Sequence, residues 1–115
     1  MVTNGKTKER VSSTNWSVYV LRLRENKFYI GVSVDVDKRY KQHTEMGKDS
    51  ASFCKKYGVE CLWEIIDTGK TKLNEAMVIE DEIALKYLKK YGISNVRGGR
   101  FLGNNQTIER KLKFK

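Results

Sequence analysis

The chain has 115 residues, no proline, two cysteines and one histidine, and its 23 basic against 14 acidic side chains leave a formal charge of +9 at pH 7. That length supports one domain with one modest core, and no apolar run reaches the 18 or so residues that a membrane span needs. Cys54 and Cys61 beside a single histidine support neither a zinc site nor a disulfide framework, so both are read as reduced thiols of an intracellular protein, cytoplasmic or nuclear and without a secretory leader.

Residues 1–16 are polar and aperiodic and read as a flexible N-terminal tail ahead of one domain over 17–103. Ser17 to Leu23 and Phe28 to Val32 are rich in β-branched and aromatic residues, and they flank Glu25-Asn26-Lys27. This predicts a hairpin with a three-residue loop in which Leu23 faces Tyr29 and Leu21 faces Gly31. Period-two alternation then puts Tyr19, Leu21, Leu23 and Tyr29 on one sheet face. Asp35 is an N-cap for a helix over 36–46 that Gly47 terminates. At 100° per residue Val36, Arg39, Tyr40, His43 and Met46 share its inward arc.

Ser50 to Tyr57 reads as a short helical turn exposing Lys55 and Lys56, and Cys61 to Asp67 as a third strand closed by Thr68-Gly69. The clearest helix spans 71–92 with Thr71 and Gly92 as caps, and Leu73, Met77, Ala84, Tyr87, Leu88 and Tyr91 line one face. Glu80 falls within about 20° of the centre of that face, with Asp81 on its flank and Glu82 opposite. A carboxylate there costs several kcal/mol unless it is paired or bound to a cation, so it is the residue least explained by packing. The last stretch, 104–115, is a basic tail or a short helix from Asn104-Asn105 on which Leu112 and Phe114 pack. Residues 96–115 carry six basic side chains against one acidic, so the charge that favours a polyanionic partner is concentrated there.

Val18-Tyr19-Val20, Tyr29-Ile30-Gly31, Arg39, His43, Glu80 and Asn95 together resemble the GIY-YIG endonuclease family in identity, order and spacing. Val18 and Val20 replace the glycine and isoleucine of the first tripeptide, while the second is intact. The segment YGISNVRGG is also similar to the one that follows the catalytic helix in that family. The resemblance implies an α+β module, a small three-stranded antiparallel β-sheet flanked by helices, with the site on one sheet face. It further implies an endonuclease that hydrolyses phosphodiester bonds of nucleic acid, with DNA the expected substrate, using Mg2+ or Mn2+.

By the same resemblance Glu80 holds the metal, Arg39 grips the scissile phosphate, and Tyr19, Tyr29 and His43 activate or position the attacking water. Asn95 holds the adjoining segment or touches the phosphate. Whether Tyr19 or His43 is the general base stays open at this point, because a phenol is a weak base at neutral pH and an imidazole with an ordinary pKa near 6.5 is the alternative. Lys55, Lys56, Arg97, Arg100, Lys111 and Lys113, with Arg39, form the expected nucleic-acid surface, and a dimer or protein partner is open. The competing reading is a non-catalytic nucleic-acid-binding module of the same fold. A restriction-type site built on Asp81, Glu109 and Lys111 is discounted because these residues fall on a helix and the basic end of the chain. No nucleotide-cofactor glycine pattern occurs.

Overall fold

The computed structural model describes residues 15–45 and 51–113. Strand β1 (Trp16–Leu23) turns through a single 3-10 turn, Arg24–Asn26, into β2 (Lys27–Ser33). Helices α1 (Val36–Thr44) and α2 (Ser52–Tyr57), strand β3 (Val59–Lys70), helix α3 (Leu73–Tyr91), strand β4 (Val96–Gly98) and helix α4 (Asn105–Lys113) follow. The sheet order is β3-β1-β2-β4. Among the described residues no helix is long and apolar enough to cross a membrane.

The α+β class matches the expectation, but the sheet does not stop at three antiparallel strands. β4 adds a fourth strand, parallel to β2 and paired through Phe28 with Val96 and Ile30 with Gly98. Three residues, one of them an arginine, give no alternation to read, and a parallel pairing needs the long crossover that α3 supplies. The hairpin also differs in register. Leu23 faces Lys27, Leu21 faces Tyr29 and Tyr19 faces Gly31, because the turn uses Arg24–Asn26 with Glu25 and Asn26 at φ of 62° and 60°. The shift is two residues, which preserves the face of every side chain, whereas a shift of one would have inverted them all.

The two faces therefore carry separate clusters. Val18, Val20, Phe28, Ile30 and Val96 pack with Ala84, Leu88, Phe101 and Ile108 from α3 and the C-terminal segment. Tyr19, Leu21 and Leu23 pack on the other face with Cys54, flanked by Tyr29, Val36, Tyr40, Phe53 and Tyr57.

Helix α1 begins as expected, with the Asp35 carboxylate accepting from the Lys38 N–H at 3.1 Å. The expected Met46 contact and Gly47 stop lie outside the described residues. Strand β3 runs from Val59 to Lys70, longer than Cys61–Asp67, and passes through Thr68-Gly69 by a register shift where it leaves β1. Helix α3 starts one residue later than Thr71 capping requires, with Lys72 at the N-cap and no side-chain cap, and ends at Gly92 as expected. Its buried row is Ala76, Glu80, Ala84 and Leu88, whereas Leu73 and Met77, expected on that face, are each 44% exposed. The chain end is the helix alternative: Asn104 caps α4 through Thr107, and Ile108 is fully buried. Phe114 lies outside the described residues.

Candidate active site

The register explains the glycine of Tyr29-Ile30-Gly31. Gly31 stands opposite Tyr19, and a Cβ at Gly31 would lie 2.3 Å from the Tyr19 hydroxyl oxygen. The missing side chain is the space in which the phenol lies. From there Tyr19 Oη meets His43 Nε2 at 3.0 Å, both residues being buried. The Tyr29 ring completes the group, with its centroid 6.4 Å from that of Tyr19 and 5.4 Å from that of His43. Helix α1 supplies His43 from the turn after Arg39, whose guanidinium donates to Gln42 at 2.8 Å and carries its charge beside Tyr19 and His43.

Burial dominates the electrostatics. It raises the Tyr19 phenol to about 12, against the opposing pull of Arg39, and raises Tyr29 further. It lowers His43 to about 4, and the Arg39 charge acts in the same direction. At neutral pH the imidazole is neutral and both phenols keep their protons. The Cys54 thiol beneath them is fully buried and raised to about 12, so it is an inert packing group.

Glu80 arrives from α3 and is 7% exposed. Burial raises its carboxyl to about 7, helped by the neighbouring Asp81 charge and opposed by a hydrogen bond from the Gly99 N–H. Its charge is felt by both Tyr19 and Tyr29. Among the described residues it makes no ion pair. Gly99 is a contributor that the sequence reading did not single out, although the Gly98-Gly99 doublet is its signal. It adopts φ 56°, and a Cβ there would lie 2.6 Å from Asp81 Oδ1. The next amide, Arg100 N–H, donates to that Asp81 oxygen at 2.8 Å, so the two carboxylates of α3 and the loop after β4 are tied together.

The chemistry of this donor set fits a hard cation. Among the described residues no three metal-binding side chains cluster. A single carboxylate is nonetheless an ordinary protein share for Mg2+, which keeps waters and takes substrate oxygens for the remaining positions.

The other expected residues are placed differently. Asn95 sits between α3 and β4, where its Nδ2 donates to the Tyr91 carbonyl and its Oδ1 accepts from Lys27 Nζ, each at 2.7 Å. Its contacts hold the segment. Lys55 and Lys56 are exposed on α2, and Arg100 and Lys113 are exposed near the C-terminus. Lys111 Nζ donates to the Arg100 carbonyl. Arg97 is 5% exposed and donates to the carbonyls of Gly103, Val96 and Ile93 and to Asn105 Oδ1. It therefore braces the chain from 93 to 105.

The family model of the GIY-YIG catalytic domain matches residues 15–94. Curated proteins named UPF0213 protein YhbQ, from Escherichia coli strain K12 / DH10B and from Shigella boydii serotype 18, are each 47% identical to the chain over 30 residues. The matched stretch is 26% of this chain and 30% of the relatives' length. No solved structure matches the chain significantly.

Proposed function

The chain belongs to the GIY-YIG family, a family of nucleases that act on nucleic acid, and from this premise we propose that it is a divalent-metal-dependent endonuclease hydrolysing phosphodiester bonds, with DNA as its first candidate substrate. The observation that carries the reading is Glu80, a carboxylate buried without an ion-pair partner whose charge reaches the Tyr19–Tyr29–His43 group. A packing role leaves the charged carboxylate with the Gly99 N–H hydrogen bond as its offset and no opposite charge.

Glu80 would hold the metal, and the cation when bound would supply positive charge against the phosphate oxygens. Arg39 binds the scissile phosphate through its planar fork and stabilises the charge that grows on its oxygens. The Tyr19 hydroxyl donates to His43 Nε2, which leaves its oxygen lone pairs directed to a water. As that water attacks phosphorus, its proton passes to Tyr19 Oη while the phenol proton passes to Nε2, the P–O bond to the leaving strand breaks, and the departing oxygen takes its proton from solvent. His43 is a weak base in the resting protein partly because Arg39 stands beside it. An arriving phosphodiester neutralises Arg39 and brings negative charge close, so substrate binding itself raises the affinity of Nε2 for a proton. Tyr29 packs against the other side of the group and fixes the two rings in place.

Supercoiled plasmid, branched DNA and RNA incubated with Mg2+ or with a chelator test this reading. The expected result is phosphodiester cleavage of at least one substrate with Mg2+, none with chelator, and loss of about a thousandfold or more in Glu80→Gln. Binding without cleavage in Mg2+ and Mn2+ would favour the non-catalytic module.

A further inference from the structure

A cleft of about 1120 Å³ opens beside the site. Tyr29 and Arg39 form part of its wall, so it is continuous with the proposed catalytic group, and Lys27, α2, Ser94, Arg97 and the segment 102–106 form the rest. Its lining includes four cations, Lys27, Arg39, Lys56 and Arg97, and among the described residues no carboxylate. Two aromatic rings of α2 stand in the same wall. Phe53 and Tyr57 pack edge to face at 5.0 Å, with Lys27 and Lys56 within 5.3 Å of the Tyr57 centroid and Arg97 5.3 Å from that of Phe53.

Arg97 sharpens the argument. All its hydrogen bonds go to neutral oxygens, so a buried guanidinium lines the cleft with no anion beside it, and burial lowers its pKa. An anion entering the cleft would be its counter-charge. An acidic ligand that also carries flat aromatic surface fits this wall better than a bare phosphate, because its phosphate would draw the Lys27 and Lys56 ammoniums off the Tyr57 ring and its own ring would take their place. A base paired within duplex offers no free π-face, whereas an unpaired nucleotide offers both the face and the phosphate.

Resting on the nuclease reading above, we infer that the cleft seats an unpaired nucleotide next to the scissile phosphate, stacked on Tyr57 and neutralised by Lys27 and Lys56, so that the preferred substrates carry a single-stranded segment at the cut. The shared chemistry admits DNA or RNA.

Fluorescence anisotropy in chelator tests this without relying on hydrolysis. The probes are a labelled 12-nucleotide DNA strand, the same strand as RNA, and a blunt DNA duplex of that length. The full-length chain is expected to bind at least one single strand more tightly than the duplex. Tyr57→Leu should weaken that single-strand binding about tenfold and leave duplex binding within twofold. Lys56→Glu, an exposed change that does not endanger folding, removes charge from both complexes and should weaken single-strand binding more than duplex binding. Equal losses on strand and duplex in both variants, or no loss in either, would overturn the inference. Cleavage in Mg2+ without strand preference would leave the nuclease reading standing and remove this one, and strand preference without cleavage would do the opposite.

Discussion

Glu80 and His43 impose opposite pH dependences on folding. The folded Glu80 carboxyl titrates near 7 against an ordinary 4.5, so the native state keeps a proton that the unfolded chain releases. Stability falls as pH rises from about 4.5 to about 7, and above that the metal-free protein carries the full cost, on the order of 3 kcal/mol. His43 protonates near 4 when folded and near 6.5 when unfolded, so its share of stability is present above 6.5 and lost as pH falls toward 4. The two compensate each other over much of the acid range. Glu80→Gln should therefore raise the urea midpoint of the metal-free protein at pH 7.5 and uncover the His43 dependence, a steeper loss of stability between pH 6.5 and 4 than the wild type shows. Midpoints across pH 4–8 for both proteins check this. A glutamine variant less stable than wild type at pH 7.5 would mean that the charged carboxylate is already satisfied.

At the scale of elements, α4 is a structural helix that carries basic residues on its surface. Ile108 is fully buried in the core cluster that includes Ala84 and Leu88 of α3, and Leu112 packs against the same cluster. Ile108→Ala should cost about 2–5 kcal/mol by denaturant unfolding, because the cavity forms where sheet, α3 and α4 meet. Lys113→Ala on the exposed side of the same helix should stay within about 0.5 kcal/mol. Similar small effects for both would make α4 an independent appendage. The elements that the sequence made legible carry a strong period, a β-rich run or an explicit cap: β1, β2, β3, the short α2, α1 from Asp35, and α3 to Gly92. The turn was placed one residue late because neither Glu25 nor Asn26 is glycine, yet both take positive φ. Strand β4 is not legible in the sequence because three residues carry no alternation and their partners Phe28, Tyr29 and Ile30 are remote in the chain.

At the scale of the molecule, the same contrast separates the candidate site from its surroundings. Tyr19, Tyr29 and His43 converge because strand alternation and helical period are local rules, and Glu80 stood out because it breaks the apolar pattern of α3. The cleft draws on β2, α1, α2 and the start of α4, so only the folded chain assembles it. The sequence put most of the charge surplus in residues 96–115, but folding redistributes what is available to a ligand. Lys111 is engaged with a carbonyl, while Lys27, Arg39, Lys56 and the buried Arg97 line the cleft. Asn105 lines the cleft, and Lys113 stands eight residues further along α4, about 12 Å away and beyond a Debye length at physiological salt. A phosphate backbone following the cleft should therefore count the α2 lysines and ignore the end of α4. Neutralising Lys55 and Lys56 to glutamine should reduce the slope of log affinity against log salt by about 1 to 2, since each lost phosphate contact removes roughly 0.7 to 0.9. Neutralising Lys113 should leave the slope unchanged. Affinities of the three proteins for one labelled oligonucleotide, measured in chelator over a salt series, decide between the surfaces: a slope that falls only in the Lys113 variant would move the nucleic-acid path from the cleft to the C-terminal helix.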